Sequence, residues 1–181
     1  SNVYGNPSSV HSQGRKARSI IENARKQVAQ SIQASPNQII FTSGGTEANN
    51  QVLWSMVQKE TKHVISNVIE HPAVIKVLQL LEPFGLEHTL VPVNKYGLVS
   101  VKDVENSILD GTGLISVMLG NNEMGTIQPL REIVEMAREK GILIHTDAVQ
   151  CLGKMKVDVS ELGVDFLSLS AHKFYGPKGI G

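Results

Sequence analysis

The stretch from Gly113 to Gln150, GLISVMLGNNEMGTIQPLREIVEMAREKGILIHTDAVQ, decides how this chain folds. It opens on GLISVML (113–119), which is apolar almost without interruption. It closes on ILIHT (142–146), followed at once by polar DAVQ. Between them, PLREIVEMAREKG (129–141) has helical periodicity and ends on Gly141, a residue suited to a helix C-terminus. A strand that is apolar on both faces belongs inside a sheet covered on both sides. Working outward, the same alternation recurs. Residues 11–34 read as a helix with Ala17, Ile21, Ala24, Val28 and Ile32 on one face, stopped by Pro36. QIIFTS (38–43) reads as a short buried strand, and TEANNQVLWSMVQKE (46–60) as a helix. HVISN (63–67) is a strand, PAVIKVLQLLEPFG (72–85) a helix opened by Pro72, and EHTLVPV (87–93) a strand. SVKDVENSIL (100–109) is a short helix capped by Ser100, and DFLSLS (165–170) a last strand. The expected fold class is α/β: a mostly parallel sheet with helices on both faces, in one domain spanning 1–181.

Composition narrows the function classes. Apolar residues make up 41% and charged residues 19% of the 181, the balance of a globular chain rather than a disordered one. Lys plus Arg equals Asp plus Glu, at 17 each, and no basic run stands out, which argues against a nucleic-acid partner. The apolar runs are strand-sized, so a membrane-spanning helix is not expected, and the N-terminus does not resemble a signal peptide. A single cysteine excludes an internal disulfide framework, and a reducing, cytoplasmic setting is the expectation.

In a parallel sheet the binding groups gather at the carboxyl ends of the strands, and that rule sorts the polar residues. SGGTE (43–47) has two glycines at the start of a helix; free amides there, with the Thr46 hydroxyl, suit a phosphate, although a plain turn capped by Thr46 has the same residues. The stretch matches neither a Walker motif nor GxGxxG. His71, before Pro72, can stack on a flat ring or shuttle protons, or be a surface histidine. Asn121 and Asn122 can be ligands or turn formers. Asp147 needs a cation or strong donors, or caps a following helix. Lys173, in SAHKFYGPKGIG (170–181), is a solvated charge or an amine for Schiff-base chemistry. Taken together, a phosphate loop, a ring-stacking histidine, a carboxylate for a ring nitrogen and a lysine for an aldehyde describe one molecule, pyridoxal 5'-phosphate.

The segments NPSSVH, FTSGGTEANN, EHPAV, GNNEMGTIQP, HTDAVQ and SAHKFYGPKGIG, in this order from Asn6 to Gly181, resemble the successive signatures of the cysteine desulfurase family, in the class V aminotransferase branch of fold-type I enzymes. The resemblance implies a large pyridoxal-phosphate-binding domain with a mainly parallel seven-stranded sheet, and a homodimer. It implies that Lys173 holds the cofactor aldehyde, Asp147 pairs with the pyridine nitrogen, and His71 stacks on the ring and moves protons. Gln150 would bond the phenolic oxygen, with Asn122 beside it, and Gly45, Thr46, Ser170, Ala171 and His172 would lie about the cofactor and its phosphate. L-Cysteine would lose its sulfur to an enzyme cysteine as a persulfide and leave as alanine, the sulfur passing to an acceptor or scaffold protein for iron–sulfur cluster or related cofactor assembly. Selenocysteine lyase and cysteine sulfinate desulfinase are alternatives on the same scaffold. The family's first-strand segment, its cysteine-bearing loop and its carboxylate-gripping arginine are expected outside these 181 residues. The chain therefore reads as a central fragment, inactive by itself, and a non-catalytic cofactor-binding piece is a further alternative. A sugar- or nucleotide-phosphate binder built on SGGTE alone does not explain Asp147 and Lys173. Cys151, between Val149 and Leu152, is expected to be buried, protonated and no sulfur acceptor.

Overall fold

The computed structural model describes residues 3–181, which group into two compact units. The first runs to Ile40 and includes Val157–Ser160; the second comprises Phe41–Lys156 and Glu161–Gly181.

In the first unit, helix α1 (Ser12–Ser31) starts at His11, whose Nδ1 accepts the Gly14 N–H at 3.2 Å. The helix stops before Pro36: Gln33 takes a left-handed φ of 57°, and Pro36 instead opens a short 3₁₀ turn, Pro36–Gln38. The apolar stripe expected to be buried is only partly so. Of its members Ile32 is buried, Ala17, Ala24 and Val28 are half-buried, and Ile21 is 37% exposed. The remaining return segment supplies one tie, from the Val159 N–H to the Ile32 carbonyl at 3.0 Å.

The second unit holds five strands: β1 (His63–Asn67), β2 (Glu87–Val91), β3 (Thr112–Ser116), β4 (Leu143–Asp147) and β5 (Phe166–Ser168). All pairs are parallel, in the order β2-β1-β3-β4-β5. The helices are α2 (Gly45–Gln58), α3 (Pro72–Leu81), α4 (Val101–Asn106), α5 (Leu130–Glu139) and α6 (Val159–Leu162), the last beginning in the first unit. Right-handed crossovers fix their sides. The β1-α3-β2 connection steps one way along the sheet and β3-α5-β4 steps the other, so α3 and α5 cover opposite faces. Accordingly α2 packs with α3, and α4 with α5. The expected α/β class with helices on both faces is therefore found. The strand order reverses between β1 and β3, and that switch point opens a crevice at the carboxyl edge.

The core between α2, α3 and the sheet is built from Leu53, Met56, Val64, Val74, Leu78, Leu81, Leu86 and Leu114. Each fully buried leucine there contributes about 1.5–3 kcal/mol. One polar row crosses the sheet interior. His145 shares hydrogen bonds with Ser116 Oγ (2.8 Å) and Ser168 Oγ (3.0 Å), and Ser66 Oγ donates to the Ser116 carbonyl (2.9 Å). Burial pushes the imidazole down to about 3, so the ring is neutral.

Three sequence expectations need correction. QIIFTS is not a buried strand: residues 39–42 are irregular and Ile40 is 70% exposed. Thr42 exchanges both backbone bonds with Gly181 at 2.8 and 2.9 Å, but no strand runs through the segment. A strand needs a ladder along its length, and apolar composition alone does not supply one. The helix read as 72–85 ends at Leu81, because Pro83 has no N–H for a further turn; Glu82–Phe84 becomes a 3₁₀ turn closed by left-handed Gly85 (φ 84°). The seven strands implied by the resemblance are five among the described residues. By contrast, Ser100 caps α4 as expected, accepting the Asp103 N–H at 3.2 Å.

Candidate active site

A cleft of about 300 Å³ lies beyond the carboxyl ends of the strands, at the low end of the range for small-molecule sites. Each wall comes from a different strand end. His71 lies beyond β1, Met118, Gly120 and Asn122 beyond β3, Asp147, Val149 and Gln150 at β4, and Ser170, His172 and Lys173 beyond β5. Gly45, Thr46 and Asn49 enter from the first turns of α2, and Ala73 from α3.

Asp147 is the last residue of β4 and is 8% exposed. Two donors fix its carboxylate: Asn49 Nδ2 on Oδ2 at 2.7 Å and the Val149 N–H on Oδ1 at 3.0 Å. No helix follows, so its alternative reading as a helix cap does not apply. Asn49 is 1% exposed, and its Oδ1 has no partner. A buried amide oxygen left over in a cleft marks a place for a donor from a ligand or water.

His71 is the N-cap of α3, its Nδ1 accepting the Ala73 N–H at 3.1 Å. The neutral ring therefore carries its proton on Nε2. Helix α2 begins at Gly45 with no side-chain cap. Thr46 does not cap it, so the first amides and the Thr46 hydroxyl are free for an anion, as the phosphate reading requires. Glu47 turns back to Ser43, whose side chain and N–H hold the Glu47 carboxyl below its ordinary range. Gly45 has a packing reason to lack a side chain: a Cβ would meet Val149 Cγ2 at 2.9 Å and Ser170 Cβ at 3.5 Å. Ser170 Oγ and His172 Nδ1 share a 3.0 Å hydrogen bond on the opposite wall.

Lys173 is exposed and stands in the 3₁₀ turn Ala171–Phe174, its N–H bonded to the Ser170 carbonyl at 3.1 Å. Gln150 Oε1 accepts from Lys154 Nζ at 2.8 Å, which leaves Nε2 as a donor. Nine of the ten expected site residues thus line one cleft. Ala171 does not; its N–H is turned to the Ile180 carbonyl and its own carbonyl to Gly176. Asn121 is the turn former of its pair, with Oδ1 accepting the N–H groups of Glu123 and Met124, while Asn122 faces the cleft. Sequence reasoning missed Asn49 and Met118. A signal for Asn49 existed: it sits one helical turn after Gly45 on the stripe that continues to Leu53 and Met56, and a polar residue in a buried stripe needs a partner.

The aminotransferase class-V family model matches residues 1–181. The chain belongs to that family. It is 47% identical over 181 residues to "Cysteine desulfurase IscS" of Clostridium botulinum (strain Kyoto / Type A2), covering 98% of this chain and 46% of that protein. It is 46% identical over 183 residues to "Cysteine desulfurase, mitochondrial" of Saccharomyces cerevisiae, covering 99% and 37%. The chain thus spans less than half the length of these class-V relatives. Among solved structures, "SspA in complex with cysteine" superposes with a TM-score of 0.93 at 39% identity, over 100% of this chain and 53% of that one. A "NifS-like protein" gives the same TM-score and identity over 99% and 51%.

Against that background the residues fit pyridoxal phosphate on this chain's own geometry. The cleft offers uncapped helix amides beside a glycine with no room for a side chain, a buried oriented carboxylate, an orphaned amide oxygen and a lysine. Among the described residues no cluster of three His, Cys, Asp or Glu side chains could hold a metal ion.

Proposed function

We propose that this chain is the cofactor-holding part of a pyridoxal-phosphate-dependent cysteine desulfurase, which removes sulfur from L-cysteine and leaves alanine. The observation that carries the reading is the meeting of Lys173, Asp147 and His71 in one cleft with the uncapped start of α2. The names of the relatives support the activity, and the cysteine bound to SspA supports the substrate.

Each residue has a task that its surroundings suit. The amides of Gly45 and Thr46, with Ser170 and His172, would take the phosphate. Lys173 Nζ would hold the aldehyde carbon. Asp147, fixed by Asn49 and Val149, would face the ring nitrogen and keep it protonated; its orientation is set before the cofactor arrives, so none is lost in reorganising. Gln150 Nε2 would donate to the ring oxygen. His71 would cover the ring, and its Nε2–H is the hydrogen-bond donor it can present to the cleft while Nδ1 stays on the α3 cap. When bound, the cofactor supplies the electron sink for cleavage next to the amine carbon. A homodimer, and an acceptor that carries sulfur toward iron–sulfur cluster assembly, belong to the same proposal. So does a cytoplasmic setting, which rests on the single buried thiol; the Saccharomyces relative is mitochondrial.

The test is chemical. The protein is loaded with pyridoxal phosphate, reduced with borohydride, digested and mapped. The label is expected on Lys173. A label mainly on Lys154 or Lys178 would overturn the assignment.

A further inference from the structure

Glu70 is a buried carboxyl group for which the proposed function has no use. It is 5% exposed and sits immediately before His71. Its Oε1 accepts from Asn67 Nδ2 at 2.8 Å, at the end of β1, and from the Met118 N–H, beyond β3; the His71 N–H is a further donor to the carboxyl group. Its Oε2 is buried with no partner. Among the described residues no cation offsets it. The charged group acting on it is Asp147 at the end of β4, of the same sign; from β1 it meets an amide, from the β3 edge a backbone N–H, and from α3 the residue His71.

A buried carboxylate with no cation, beside a second carboxylate, is costly, whereas a carboxylic acid in the same place is not. We propose that Glu70 is a positioning residue of the cleft, an uncharged acid whose Oε1 ties the loop carrying His71 to the backbone carrying Met118, leaving Asp147 as the only carboxylate charge near the ring nitrogen site. His71 and Met118 both line the cleft, so the tie joins two of its walls across the switch point. The group's acidity agrees. Burial pushes the carboxyl up to about 8, and the Asp147 charge adds to the rise, against the donors from Met118, Asn67 and His71.

The inference rests on the cofactor reading for its consequences, but the tie itself can be tested without cofactor. In the full-length protein, E70Q keeps an acceptor at Oε1 and carries no charge, while E70A removes both. Amide exchange at Met118 is expected to stay within about threefold of wild type in E70Q and to accelerate at least tenfold in E70A, with circular dichroism confirming that each variant is folded. Pyridoxal phosphate affinity by equilibrium dialysis at pH 6.5 should follow the same order. Should E70Q fall together with E70A at pH 6.5, or should E70A leave Met118 exchange unchanged, the proposal is overturned. If the wild type binds no pyridoxal phosphate, the cofactor reading fails on its own, and the exchange data still decide the tie.

Discussion

Cys151 follows Gln150 on the turn leaving β4, yet it is 2% exposed and its sulfur packs against Gly120, where an added Cβ would stand 2.8 Å from Sγ. Burial pushes the thiol up to about 11, the Asp147 charge adds to this, and Lys154 offsets part of it. A thiolate is the reactive form, so at neutral pH this sulfur is nearly inert. A sulfur acceptor must also reach the substrate and then a partner, and such groups ride on exposed, mobile segments. In the full-length protein Cys151→Ser should therefore keep sulfide release within about twofold of wild type. Sulfide production from cysteine is the measurement; loss of nearly all of it with pyridoxal phosphate still bound would make Cys151 the acceptor.

Among the elements, the start of α2 illustrates a constraint that comes from neighbours rather than from the helix. Alanine favours helix over glycine by up to about 1 kcal/mol in a helix interior, and Gly45 has no positive φ that would demand glycine. Its lack of a side chain is fixed by Val149 Cγ2, which would lie 2.9 Å from a new Cβ. Valine is stiff at χ1 and cannot easily turn away, so Gly45→Ala should displace Val149, itself part of the cleft wall. We expect at least a tenfold loss in pyridoxal phosphate affinity with little change in melting temperature, read by dialysis and thermal unfolding; unchanged affinity would refute the packing argument. The same contrast explains what could be read from the sequence. HVISN, GLISVML and ILIHT declared themselves because a strand buried on both faces writes its environment into every residue. QIIFTS carried a similar composition but forms no strand, and no local pattern reports whether a ladder partner exists. The site was legible where chemistry follows a strand end, as at Asp147 and Lys173. Asn49 and Glu70 act through other residues, so their tasks emerge only when α2, β1 and the end of β3 are brought together.

At the scale of the whole molecule, buried titrating groups set how stability responds to pH. The formal net charge at pH 7 is zero, so general repulsion is small there and individual shifts dominate. His145 is held from its ordinary 6.5 down to about 3 by burial, and His63 is also lowered by burial. The unfolded chain takes up these protons first, so their contribution is complete above pH 6.5 and is lost as pH falls below it. Glu70 works in the other direction. Raised from 4.5 to about 8, it holds a proton in the fold that the unfolded chain has released, so stability falls as pH rises through that window. Between 4.5 and 6.5 Glu70 and His145 cancel, and His63 tips the slope upward with pH. Above 6.5 Glu70 acts alone, at up to about 1.4 kcal/mol per pH unit; from about 9.0 the raised Cys151 thiol continues the decline. Melting temperature should therefore peak near pH 6.5 and fall on both sides. E70Q should flatten the segment from 6.5 to 8 and steepen the rise between 4.5 and 6.5, where Glu70 no longer offsets His145. Thermal unfolding across pH 4 to 10 is the measurement. A wild-type melting temperature that keeps climbing from 6.5 to 8, or an E70Q variant that declines there as steeply as the wild type, would show that Glu70 is not carrying its proton into the fold.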